Sequence, residues 1–169
     1  SVPQSAPLSP RSPRTRVRMA FTDLSRATLD TLPINVAVLD PEGEIVLTND
    51  AWKAHARENG AEPADVTGQN YLAVTDDADE TYATQAAAGI RRVATGEQEL
   101  FTLEYPCHSP EEKRWYLMRV SRFEADDTHR IVVAHIDVTE RKLAELQVAD
   151  TAAELANERA ALDHLVDRM

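Results

Sequence analysis

At 169 residues and 43% apolar, the chain can fill one core of about 100 residues and leave appendages around it. Its formal charge is −11; residues 1–20 hold four arginines and no acid, so the remainder carries −15 and is excluded as a direct partner of nucleic acid. No apolar run approaches the ~18 residues that span a bilayer, no signal-peptide core is present, and the single Cys107 excludes an intrachain disulfide and a multi-cysteine zinc site. A cytoplasmic chain with no membrane contact is expected.

Residues 1–17 are rich in Ser, Pro and Arg, without apolar period, and read as a disordered basic arm. Residues 18–33 read as a flanking helix, with Phe21, Leu24, Leu29 and Leu32 at helical spacing, Thr22 as a cap and Pro33 as the stop. Ile34–Leu39 and Glu44–Thr48 are β-branched runs, and the intervening Asp40-Pro-Glu-Gly43 is turn chemistry, so the two form a hairpin. Asn49 or Asp50 can cap a helix over Ala51–Arg57 that Asn59-Gly60 ends. Residues 61–77 read as irregular and acidic. A helix is expected from Asp79 to Ala94, with Tyr82, Ala86, Ile90 and Val93 along one face.

Three strands follow at short spacing, Glu99–Tyr105, Arg114–Phe123 and Arg130–Val138, which should pair as an antiparallel meander. The first hairpin must complete that sheet, because two strands alone are marginal. The expectation is an α+β fold: a five-stranded antiparallel sheet with helices on one face, over residues 34–139.

From Glu140 to Met169 everything reads as helix. No Gly or Pro separates it from the last strand. Asp137 or Thr139 can cap its start, and Glu140 suits the positive end of its dipole. A change in the last strand should therefore pass through Asp137, Thr139, Glu140 and Arg141 rather than be absorbed. Val148, Ala152, Leu155, Leu162, Val166 and Met169 alternate in steps near three and four, interrupted by Arg159. That stripe is a two-stranded coiled-coil seam, and a parallel homodimer is expected.

Four stretches carry a resemblance: Val38-Leu-Asp-Pro-Glu-Gly-Glu-Ile-Val46, Thr48-Asn-Asp-Ala-Trp52, Arg114-Trp-Tyr-Leu-Met-Arg-Val120 and His135-Ile-Asp-Val-Thr-Glu-Arg-Lys142. In this order the chain resembles a PAS domain over roughly residues 22–142. It is similar to those of haloarchaeal sensor kinases, and Ala161–Met169 resembles the linker of bacterio-opsin-activator-type regulators. The high acid content with only three lysines also suggests adaptation to concentrated salt.

The resemblance implies a sensory and dimerisation module ahead of a kinase or transcription-regulator output domain, in a two-component or related pathway. It also implies a small-molecule pocket between helices and sheet, with a wall drawn from Val36, Val38, Tyr71, Tyr82, Phe101, Tyr116, Met118 and Val133. The same residues describe a filled core equally. In the light-oxygen-voltage branch a cysteine follows Gly-x-Asn; here Gly68-Gln-Asn70 is followed by Tyr71, which excludes photoadduct chemistry. Non-covalent flavin remains open, as does haem through Cys107, His108, His55 or His135. His135 alternates with Ile131 and Val133 and reads first as a hydrogen-bonded sheet histidine. No phosphate loop, metalloprotease motif or nucleophile elbow is present, so no enzyme and no metal site is expected. The alternatives to a sensor are a ligand-free dimerisation scaffold and a haem or flavin sensor.

Overall fold

The computed structural model of the protein describes residues 23–76, 81–125 and 127–169. The expected basic arm at 1–17, the start of the flanking helix with Phe21 and Thr22, the expected helix start at Asp79, and Asp126 lie outside the described residues.

A helical segment, α1, runs over 23–30 and is followed by β1 (Asn35–Leu39) and β2 (Ile45–Thr48). The turn between the strands is held by one side chain. Asp40 Oδ1 accepts from the backbone N–H groups of Glu42 (3.0 Å) and Glu44 (2.8 Å), while Gly43 takes φ +90°, which suits a residue without a Cβ. Asn49 then ties three elements together and is fully buried. Its Oδ1 accepts from Val36 N and Trp52 N, both at 3.0 Å, and its Nδ2 donates to Leu29 O and Ile34 O at 3.0 and 2.8 Å. The Trp52 bond is the N-cap of α2 (Asp50–Glu58).

Where the sequence reads as irregular, the structure has a short helix, α3 (Tyr71–Asp76). Asn70 starts it, its side chain accepting from Ala73 N at 2.9 Å and donating to Glu42 O at 3.0 Å. A six-residue helix leaves no room for apolar period, so the sequence pattern does not reveal it. Helix α4 (Thr81–Thr95) follows, then β3 (Leu100–Pro106), β4 (Trp115–Ala125), β5 (Thr128–Asp137) and the long α5 (Thr139–Val166).

All strand pairs are antiparallel and the spatial order is β2-β1-β5-β4-β3, so β5 is central. Cross-strand partners share a face, which puts Ala37, Leu39, Ile131, Val133, Met118, Val120 and Phe101 on the side facing α4. Ile90 and Val93 of α4 complete this core, and burying each of the larger aliphatic side chains contributes about 1.5–3 kcal/mol. The α4 helix lies across β3, β4 and β5, and α2 lies against β1.

Gly89 is the closest approach of α4 to the sheet: a Cβ there would sit 2.4 Å from the Phe101 ring. Gly89→Ala should therefore destabilise the domain by about 1–3 kcal/mol through overpacking. Denaturant unfolding would measure this, and adding Phe101→Leu should recover part of the loss. An unchanged midpoint would mean that α4 can slide away from β3.

Candidate functional site

At the end of the sheet where β5 runs into α5, the helix-facing side chains become aromatic and polar. Strand register places Tyr105 opposite Tyr116, Met118 opposite His135, and His135 opposite Asn35. Helix α2 brings Trp52, His55 and Ala56 over them, and a cleft of about 230 Å³ lies between. That is below the roughly 300–1,000 Å³ of drug-sized pockets, so it suits a small guest.

His135 is the centre of this region. Its Nε2 lies 3.1 Å from the Tyr71 hydroxyl and its Nδ1 lies 2.7 Å from the Tyr105 hydroxyl. A neutral imidazole can donate from one nitrogen and accept at the other, so one phenol accepts and the other donates. Burial disfavours the charged ring, with a smaller contribution from His55, and lowers the His135 pKa to about 4. Burial also raises Tyr71 to about 12 and pushes Tyr105 up, so both phenols stay protonated as the pair requires. The Trp52 and His135 rings are 5.6 Å apart, and Tyr105 stacks on Tyr116 at 6.0 Å.

The expected pocket residues fall into four groups. Tyr116 lines the cleft and Tyr71 holds the histidine that lines it. Phe101, Met118 and Val133 are buried in the filled core, and Tyr82 is largely exposed, 6.5 Å from Tyr105 between ring centres. Val36 and Val38 are corrected: they pair with Ala134 and Val132 on the opposite face of the sheet from core residues Ala37 and Leu39. In a five-residue strand flanked by apolar neighbours, alternation shows that two faces exist but not which one the helices cover. Reading the sequence alone missed Asn35, Trp52 and Tyr105 as cleft residues.

Haem does not fit through His135, because both ring nitrogens are already engaged by phenols. Neither Cys107 nor His108 lines the cleft. Cys107 is exposed, and His108 stacks edge-on against Trp115 at 4.7 Å while its Nδ1 accepts from Arg114 N. Tyr71 occupies the position a flavin-reactive cysteine would need, and its hydroxyl faces His135. Among the described residues no group of three or more His, Cys, Asp or Glu side chains could hold a metal ion, and no helix is long and apolar enough to cross a membrane.

The junction beside the cleft is held at several points. Tyr116 pairs with Asp137, and the neighbouring Trp115 accepts from Val138 N at 2.9 Å and donates to Thr139 Oγ1 at 3.0 Å. Asp137 Oδ1 accepts from Thr139 N at 2.9 Å from just ahead of the N-cap Val138, which makes no side-chain cap bond, while the Thr139 hydroxyl accepts from Trp115 of β4. On the outer side, Glu104 of β3 takes both Lys142 Nζ and an Arg141 guanidinium nitrogen at 2.7 Å. Arg141 also reaches Glu145 one turn on. These cations, Lys142 first and then Arg141, hold the Glu104 carboxyl below its usual range; its bonds with Thr139 do the same for Asp137.

A five-stranded antiparallel sheet of this order, helices over one face and a helix springing from its central strand define a PAS-type domain. The PAS-fold family model matches residues 29–143, and the chain belongs to that family. PAS domains are typical sensory modules of histidine kinases and are generally non-catalytic. An uncharacterised 104.1 kDa protein in the hypE 3′ region of Rhodobacter capsulatus is 40% identical over 122 residues, 69% of this chain. The match spans only 13% of that protein. An RNA-binding light-oxygen-voltage receptor is similar in fold, with a TM-score of 0.55 at 18% identity over 94% of this chain and 43% of that one. The PAS domain of an HTR-like protein from Haloarcula marismortui has a TM-score of 0.47 at 15% identity, over 73% of this chain and 97% of that one.

The neutral state of His135 makes stability depend on pH. Between the unfolded value of about 6.5 and the folded value of about 4, the unfolded chain takes up a proton that folded His135 refuses. Stability should therefore fall as pH drops through that window, by on the order of 3 kcal/mol in full. Urea titrations at stepped pH would show this slope, and His135→Gln should flatten it. Identical slopes in both proteins would mean that His135 is solvated.

Proposed function

We propose that the chain is the sensory relay module of a longer cytoplasmic signalling protein. It homodimerises through α5 and passes a change in the cleft, caused by a small molecule or a partner, to an output domain such as a kinase or transcription regulator. The observation that carries this reading is the junction. One residue, Val138, separates β5 from α5, and both sides of the connection are bonded to neighbouring strands. Asp137, Thr139 and Arg141 have partners there, whereas Glu140 contributes as a negative charge in the first turn of α5. A helix so attached follows the sheet as a rigid extension. Division of the chain into a flanking helix at 18–33, a sensing domain at 34–139 and a signalling helix at 140–169 belongs to the same reading, as does salt adaptation of the acid-rich surface.

Dimerisation is supported by the state of α5. Val148, Leu155, Leu162, Val166 and Met169 are all exposed, as is Ala152, so the stripe does not fold back on its own domain. Apolar side chains repeating in steps of three and four along an exposed helix suit a second copy of the same helix.

Two measurements test the reading. In a fusion ahead of a reporter histidine kinase, Glu104→Lys should shift autophosphorylation, within the roughly 5–150-fold range of allosteric couplings. Two glycines inserted after Lys142 should bring that ratio back to about 1. A Glu104→Lys effect that survives the insertion, or no effect in either background, sinks the relay. Separately, sedimentation of the 169-residue chain should give a dimer that Leu155→Glu with Leu162→Glu converts to monomer. A monomer at all concentrations would remove the proposed pairing.

A further inference from the structure

The cleft does not end at Tyr116. A second hollow of about 270 Å³ continues from it, sharing Asn35, His55, Tyr116 and His135, and its outer wall adds Glu58 and Asp137. The inner part is walled by the rings of Trp52, Tyr105 and Tyr116, and among the described residues no Lys or Arg lines either part. Arg114, just before β4, is held by Glu112 with contacts of 3.0 and 2.6 Å, and from outside the lining it also acts on Tyr116 and Asp137. His135 supplies no positive charge, because burial keeps its ring neutral.

Three aromatic rings followed by two carboxylates, with no Lys or Arg among the described walls, is an arrangement that favours positive charge. Ring faces attract cations, Trp most strongly. The carboxylates repel an anion, and a neutral aromatic guest would have no use for them. The geometry points to a small organic monocation, a protonated amine or quaternary ammonium, seated against Trp52, Tyr105 and Tyr116 with Glu58 and Asp137 as its counter-charges. This deepens the relay reading and rests on it for its consequence. Asp137 also accepts the Thr139 N–H that starts α5, so a cation drawing on that carboxylate competes with that bond.

Choline chloride and tetramethylammonium chloride, titrated into the 169-residue chain at matched ionic strength, are the probes, read by calorimetry and tryptophan fluorescence. The neutral isostere 3,3-dimethylbutan-1-ol is the control. Saturable binding of the cations is expected, with the isostere at least about tenfold weaker. Glu58 is exposed on α2, so Glu58→Gln should leave the fold intact and weaken binding by about three- to tenfold. Tyr116→Phe should keep the affinity and Tyr116→Leu should lose it. Equal binding of the isostere, indifference to Glu58→Gln, or no saturable response below about 10 mM overturns the inference. Binding is read without any output domain, so its failure leaves the glycine-insertion result standing, and failure of the relay leaves choline binding intact.

Discussion

The structure depends on β5 being paired along both edges. Five of its residues match β1 and ten match β4, in one unbroken register with each. Side chains alternate with period two, so a slip of one residue would turn Ile131 and Val133 out of the core and His135 out of the cleft together. The same register fixes where Asp137 stands when the strand ends. Core, cleft and junction are therefore three readings of one strand, and none can be displaced without the others.

Within that strand His135 is the costly element. A ring with two polar atoms sits among aromatic and aliphatic neighbours, where an unmatched nitrogen would be penalised. Tyr71 from α3 and Tyr105 from β3 match both atoms, so the imidazole also fastens α3 to the sheet. A network of this kind is stiff when fully matched and unfavourable when half broken. The cleft wall therefore has a defined resting geometry rather than a soft one.

Much of the fold was legible because local chemistry was strong. Asp40-Pro-Glu-Gly43 announced the first hairpin, the Asn49-Asp50 pair announced the start of α2, and the closely spaced apolar runs after residue 99 announced the meander. The cleft was legible only in part. Val36 and Val38 looked like wall residues because a buried strand between other strands is apolar on both sides, and facing is decided by helices far away in sequence. Tyr105 and Asn35 became neighbours of His135 through pairing partners 30 and 100 residues distant, which no local period records. The junction was legible in kind, since no Gly or Pro interrupted it. The role of Glu104 was not, because a single acid in an alternating strand looks like any solvated charge.

The two helices that leave the domain are held by different physics. At α1, buried Asn49 donates an uncharged hydrogen bond to Leu29 O, one of the four bonds that fix its side chain. At α5, Glu104 holds Lys142 and Arg141 through partly exposed ion pairs. Dissolved ions shorten the reach of the second attachment, to a Debye length of about 3 Å at 1 M, and leave the first untouched. In dilute buffer both rods are pinned. In brine the outgoing one leans more on Trp115 and Asp137, so the medium itself tunes how tightly the domain grips its C-terminal rod.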